Sequence, residues 1–202
     1  MQHSKHQEPN RQKPPRAEGR RNEDPSPGEA EAGSRQQRQF ADARHWMEAG
    51  DYEKARHILN ASSASDEMKN TKGVCLMRLG HYDDALRLYR NLVLQSGTMW
   101  MRPDVPVAWK VNFCTALLLA GHSAGCAASL AEINRDDHPA VVRLRAAMAD
   151  WKRSLSSWQK FLFWIGQEPN HPVALSFPPG ELGDERPDPG QPDLERRMSK
   201  SE

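Results

Sequence analysis

The sequence predicts an all-α fold, a short stack of helix hairpins between polar tails. Three observations carry that prediction. A phrase occurs twice, as Ala49-Gly50-Asp51-Tyr52-Glu53-Lys54-Ala55 and as Leu79-Gly80-His81-Tyr82-Asp83-Asp84-Ala85. A worn third copy reads Ala120-Gly121-His122-Ser123-Ala124-Gly125-Cys126. Each copy sets a glycine between two stretches of helical periodicity, with a small residue five positions later, and such repetition marks stacked helical hairpins. No stretch shows the sustained apolar alternation of β-branched residues that a strand would need.

The 202 residues are enough for one domain plus tails. The hydrophobic fraction of 37% is low for a compact globule, and the deficit is uneven. Residues 1–36 carry almost no large apolar side chain, and residues 183–202 carry only Leu194 and Met198. Both stretches are too polar to offset the entropy of ordering, so they read as disordered tails. Between them lie a helical domain, residues 37–166, and an extended capping segment, residues 167–182. A net charge of +1 gives the protein no strong field for nucleic acid or anionic lipid. A loose basic run, Arg11, Lys13, Arg16, Arg20 and Arg21, offers a weak nucleic-acid contact, but acidic neighbours dilute it and no aromatic is there to stack on bases. Cys75, Cys114 and Cys126 form no close pair and sit among apolar neighbours, where a free cysteine is a small hydrophobe. With a polar N-terminal stretch and no signal-like or membrane-spanning apolar run, they predict a cytoplasmic protein.

The elements follow in order. Phe40, Ala43, Trp46 and Met47 recur at helical steps from about Gln37, and Gly50 ends that helix in a left-handed turn. Asp51 caps a second helix bearing Tyr52, Ala55, Ile58 and Leu59. Ser62, Ser63 and Ala64 form a loop, and Ser65 caps a third helix that presents Met68, Val74, Cys75, Leu76 and Leu79 and stops at Gly80. A fourth carries Tyr82, Ala85, Leu86, Tyr89, Leu92 and Val93. A longer connection from Ser96 to Pro106 holds Trp100. Helix resumes with Trp109, Phe113, Ala116 and Leu117, and again with Cys126, Leu130 and Ile133. After the turn at Pro139, Val141, Leu144, Met148 and Trp151 lead into Leu155, Trp158, Phe161 and Trp164 as either one bent helix or two. The Trp151, Trp158 and Trp164 stripe reads as core rather than as a ligand box. Leu175 or Phe177 of the extended segment is expected to cover the last helices.

These residues resemble the tetratricopeptide repeat (TPR), a pair of antiparallel helices of about 34 residues. The resemblance covers about residues 37–170, with two good units, a third and a degenerate fourth. It implies a right-handed superhelical stack of hairpins, a TPR-like solenoid. Ala43, Gly73 and Cys114 match the family's small residue of the first helix, with Trp46, Leu76 and Leu117 as the large residue three positions on. Ala55, Ala85 and Cys126 match the small residue of the second helix, with Leu59, Tyr89 and Leu130 four positions on. Ser123 departs from the aromatic kept at Tyr52 and Tyr82, and the fourth unit, with Ser157, Phe161 and Trp164, lacks the turn glycine. Gly50 and Gly80 are 30 residues apart and Gly80 and Gly121 are 41 apart, so the first hairpin is short and the Trp100 connection is an insertion.

The resemblance implies a protein-binding scaffold or adaptor whose first helices line a concave groove. The family's clamp for a chaperone's C-terminal carboxylate would fall on Phe40, Arg44, Thr71, Ala108 and Asn112, where only Asn112 keeps the type. Chaperone-tail binding is therefore not carried over. The groove candidates are Phe40, Arg44, Met47, Asn70, Val74, Met77, Arg78, Asn112, Thr115 and Leu119. Methionine adapts to apolar partners and arginine pairs with carboxylates, so the expected partner is another protein's peptide or amphipathic helix with acidic flanks. Self-association is a further option, and the small TPR-type secretion chaperones are a rival of similar size. No phosphate loop, metal-ligand spacing or catalytic constellation is visible, so no enzyme activity and no cofactor is expected. His81 and His122 share one repeat position and read as exposed turn residues, and Cys114 and Cys126 as packing partners across one hairpin.

Overall fold

The computed structural model describes residues 27–61, 65–169 and 171–182. The basic run of the N-terminal tail, the C-terminal tail from residue 183 and the Ser62–Ala64 loop lie outside these residues. The described chain is all-helical: α1 (Pro27–Glu48), α2 (Tyr52–Asn60), α3 (Asp66–Arg78), α4 (Tyr82–Val93), α5 (Val107–Leu119), α6 (Ser123–Glu132), α7 (Pro139–Ser154) and α8 (Ser157–Trp164). There is no strand among the described residues, only an isolated antiparallel bridge between Leu94 and Met101. No helix among them is long and apolar enough to cross a membrane.

The repeated phrase becomes a repeated turn. Gly50, Gly80 and Gly121 have φ of 80°, 81° and 85°, a left-handed conformation that costs glycine little. In each turn the N–H after the glycine donates to a carbonyl five residues back: Asp51 to Trp46, His81 to Leu76 and His122 to Leu117, at 2.8–2.9 Å. The glycine N–H donates to the carbonyl three back, at 3.2 Å, which completes a Schellman closure. Gly166 repeats the arrangement at the end of α8, with Gln167 N–H on the Leu162 carbonyl. The fourth unit therefore has its glycine turn at the far end of its last helix.

Several helix starts find an acceptor, of local origin or from far away, whereas α4 and α5 start without a side-chain cap. Asp51 accepts from the Lys54 N–H and Ser65 from the Met68 N–H, as their positions predict. Ser156 and Gln159 form a capping box at α8, with Leu155 extended before it, so the stretch after Pro139 is two helices. The start of α6 has no local cap. Glu168, more than forty residues on, accepts from the N–H groups of Ser123 and Ala124 and from the Ser123 hydroxyl. That bond explains the departure at Ser123, which is buried here as a donor.

Helices neighbouring in sequence pack together from α1 to α7, and α1, α3, α5 and α7 also meet in succession, forming one face. The small residues sit where backbones come close. Ala43, Ala55, Ala85, Cys114 and Cys126 have no exposure. A Cβ on Gly73 would stand 2.5 Å from the Tyr89 ring, so glycine there makes room for the largest fully buried side chain of the core.

Two expectations are revised. α1 starts at Pro27, ten residues before the Gln37 boundary drawn from apolar content, because its first turns have no core to face. The tryptophan stripe divides: Trp151 is buried, whereas Trp158 is 65% and Trp164 81% exposed. The final helix has no further hairpin to cover it and docks through Phe163, edge-on to Trp151 at 5.6 Å.

Candidate functional site

The face made by α3, α5 and α7 brings together five of the expected groove residues, and it is filled. After Pro169 the chain turns back and residues 171–182 run across it without helix. Exposure along Pro172–Pro179 alternates residue by residue, with Val173, Leu175, Phe177 and Pro179 turned inward, the period of an extended chain. Val173, Leu175 and Leu182 pack against the core.

The grip is on the main chain. The Asn112 side-chain amide donates from Nδ2 to the Glu181 carbonyl at 2.9 Å, and its Oδ1 accepts from the Glu181 N–H at 2.7 Å. This is the paired exchange that a neighbouring strand would make, supplied by one side chain. Arg78 donates to the carbonyls of Pro179 and Gly180 at 3.3 and 3.4 Å. At the opposite end of the segment, the Trp151 indole N–H donates to the His171 carbonyl at 3.2 Å.

Asn112 is held from behind. Its Nδ2 also donates to Asn70 Oδ1 at 2.9 Å, and the Tyr89 hydroxyl donates to the same oxygen and to the Asn70 carbonyl at 3.1 and 3.0 Å. Asn70, Tyr89 and Asn112 are all buried. Burial pushes the Tyr89 phenol well above its ordinary range, so it stays a neutral donor. A buried hydrogen-bonded network of this kind fixes rotamers, and here it aims one amide toward residue 181.

Side-chain contacts add selectivity. A Cβ on Gly180 would fall 2.9 Å from both Val74 methyls and from the Met77 terminal methyl, and Gly180 has φ +85°. The Arg143 guanidinium of α7 pairs with the Glu181 carboxylate and lies 5.9 Å from the centroid of the Phe177 ring.

The other expected groove residues have different places. Met47 is core, and Thr115 is buried with its hydroxyl on the Val111 carbonyl of its own helix. Phe40 and Leu119 are half-buried against the core, and the Arg44 guanidinium lies 6.0 Å from the Phe40 ring centroid. Asn70, Val74, Met77, Arg78 and Asn112 are the ones brought together around residues 179–181. Sequence reasoning missed Arg143, Gly180 and Glu181. The available signal was the Gly-Glu pair after two prolines in a segment with no helical pattern, which suits a chain gripped by its backbone.

His81 and His122 are exposed and give their helices no side-chain cap. The three thiols are free and buried. No cluster of three or more His, Cys, Asp or Glu among the described residues is placed to hold a metal ion. What the site defines is a class: an all-helical chain with a main-chain-gripping face. No family model, no curated protein and no solved structure matches this chain.

Proposed function

We propose that the protein is a non-catalytic protein-interaction module, a TPR-like superhelical stack whose odd-numbered helices receive an extended peptide of a partner. The observation that carries this reading is the paired amide exchange between Asn112 and the Glu181 backbone. A side chain that satisfies both the N–H and the C=O of one residue recognises extended main chain whatever its side chain, and peptide-binding grooves commonly work in this way. The three repeated glycine turns, the buried small residues and the Gly73–Tyr89 contact support the TPR-like part. A reducing cytoplasmic setting suits three free buried thiols.

The groove is tested by pull-down from source lysate, with captured proteins read by mass spectrometry. Replacing Arg78 and Arg143 with Glu is expected to abolish capture, because it sets carboxylates against peptide carbonyls and acidic flanks. Capture unchanged in the Arg78→Glu, Arg143→Glu chain would rule the groove out.

A further inference from the structure

Residues 171–182 lie in the groove as a ligand would. None of the twelve is buried to the degree of the core, although the segment crosses three helices. Its main chain is bonded to α7 at His171 and to α3 and α5 at Pro179, Gly180 and Glu181, while residues 172–178 lean on alternate side chains. A permanent part of the core buries its apolar side chains fully. A half-buried extended chain held by a few polar contacts is instead suited to exchange.

The contacts also form a code. Asn112 and Arg78 hold backbone and would accept many sequences. Gly180 does not: the stiff Val74 methyls leave no room for a Cβ, and φ +85° is a glycine conformation. The next residue meets Arg143, which calls for a carboxylate side chain. Two prolines before the glycine keep the approach extended, and the aromatic before them meets the same arginine. Inward positions alternate along the rest.

We infer that residues 171–182 are an internal ligand that occupies the groove in cis. The partner is a protein carrying an extended segment of the same chemistry, apolar at alternate positions, with a glycine followed at once by an acidic residue. It enters by displacing the internal copy. This rests on the reading of the groove as a peptide site. A tethered segment acts at an effective concentration of about millimolar, so a free competitor binds the intact chain weakly and gains when the internal copy is spoiled.

The probe is a fluorescein-labelled peptide of residues 171–182, titrated by anisotropy onto the full chain. The wild-type chain is expected to bind it weakly. Gly180→Val in the chain should tighten binding at least tenfold, and Glu181→Lys severalfold, with native helicity kept in both. A probe bearing alanine at the glycine, or lysine at the acidic position, should lose at least tenfold on the Gly180→Val chain. Adding Arg143→Glu to that chain should reverse the preference toward the lysine probe. A Gly180→Val chain that folds without gaining affinity would overturn the proposal. So would one that fails to fold while the folded Glu181→Lys chain shows no gain, since the segment is then a structural cap. A wild-type dimer exchanging the segment between copies would also overturn it. If lysate capture depends on Arg78 and Arg143 but neither variant gains affinity, the internal ligand fails and the groove stands. If capture ignores both arginines and no chain binds the probe, both fall.

Discussion

Asn112 is a buried amide with four hydrogen-bonding positions, and those that the structure fills point two ways, to Asn70 in the core and to Glu181 in the groove. The sequence flags it only through the family's clamp, where it is the one position of matching type. What gives it force is Tyr89 behind Asn70, and Tyr89 fits only because Gly73 has no side chain. The thiols have the opposite character, inert because buried. Desolvation raises Cys75 from an ordinary value of 9.0 to about 11, with the Glu53 carboxylate adding to it, and raises Cys126 to about 12. Cys114 lies well above the ordinary value for the same reason. The sign follows from linkage. Between about pH 9 and pH 11–12 the unfolded chain has released protons that the folded chain still holds, so stability falls as pH rises through that window. The urea midpoint is expected to drop between pH 8 and pH 10.5, and to drop less in Cys75→Ala and Cys126→Ala chains. An equal drop in those variants would show that other groups cause it.

The helices themselves were largely legible. Apolar spacing, cap residues and turn glycines place α2 to α6 close to where they lie, because each signal acts through hydrogen bonds within a few residues. The exceptions share a cause. α1 extends back to Pro27 through turns without an apolar face, and Trp158 and Trp164 keep a helical stripe with nothing packed on it. Periodicity reports that a face exists, and packing decides whether it is covered. α6 shows the same limit from the other side, since its cap is Glu168 from beyond α8. A carboxylate on two helix N–H groups is a charge-assisted cap. Glu168→Ala should cost about 0.5–2 kcal/mol in chemical denaturation. Glu168→Gln should recover part of that loss, and a loss below the measurement error would remove the cap from the account.

The expected extended capping segment of residues 167–182 divides into two parts with different work. Glu168 and Pro169 are an anchor, one on the α6 N-terminus and the other buried. Residues 171–182 are half-buried and cross the groove. Ending the chain after Gln167 should therefore lower Tm and solubility markedly, whereas ending it after His171 should leave a folded chain with Tm only slightly reduced. Differential scanning calorimetry on the two truncations decides this. Unchanged stability in the shorter chain would remove the capping role, and loss of folding in the longer one would make the groove segment structural. The all-helical class and the repeated glycine turns were written in the sequence, because glycine turns, caps and small-residue contacts are local or repeat with a period. Only the tertiary structure decided that residues 171–182 lie across the face of α3, α5 and α7. Arg78 and Gly180 are about a hundred positions apart, Asn112 and Glu181 nearly seventy, and no periodic pattern links them. Their meeting depends on where the last helices turn the chain, which is set by packing.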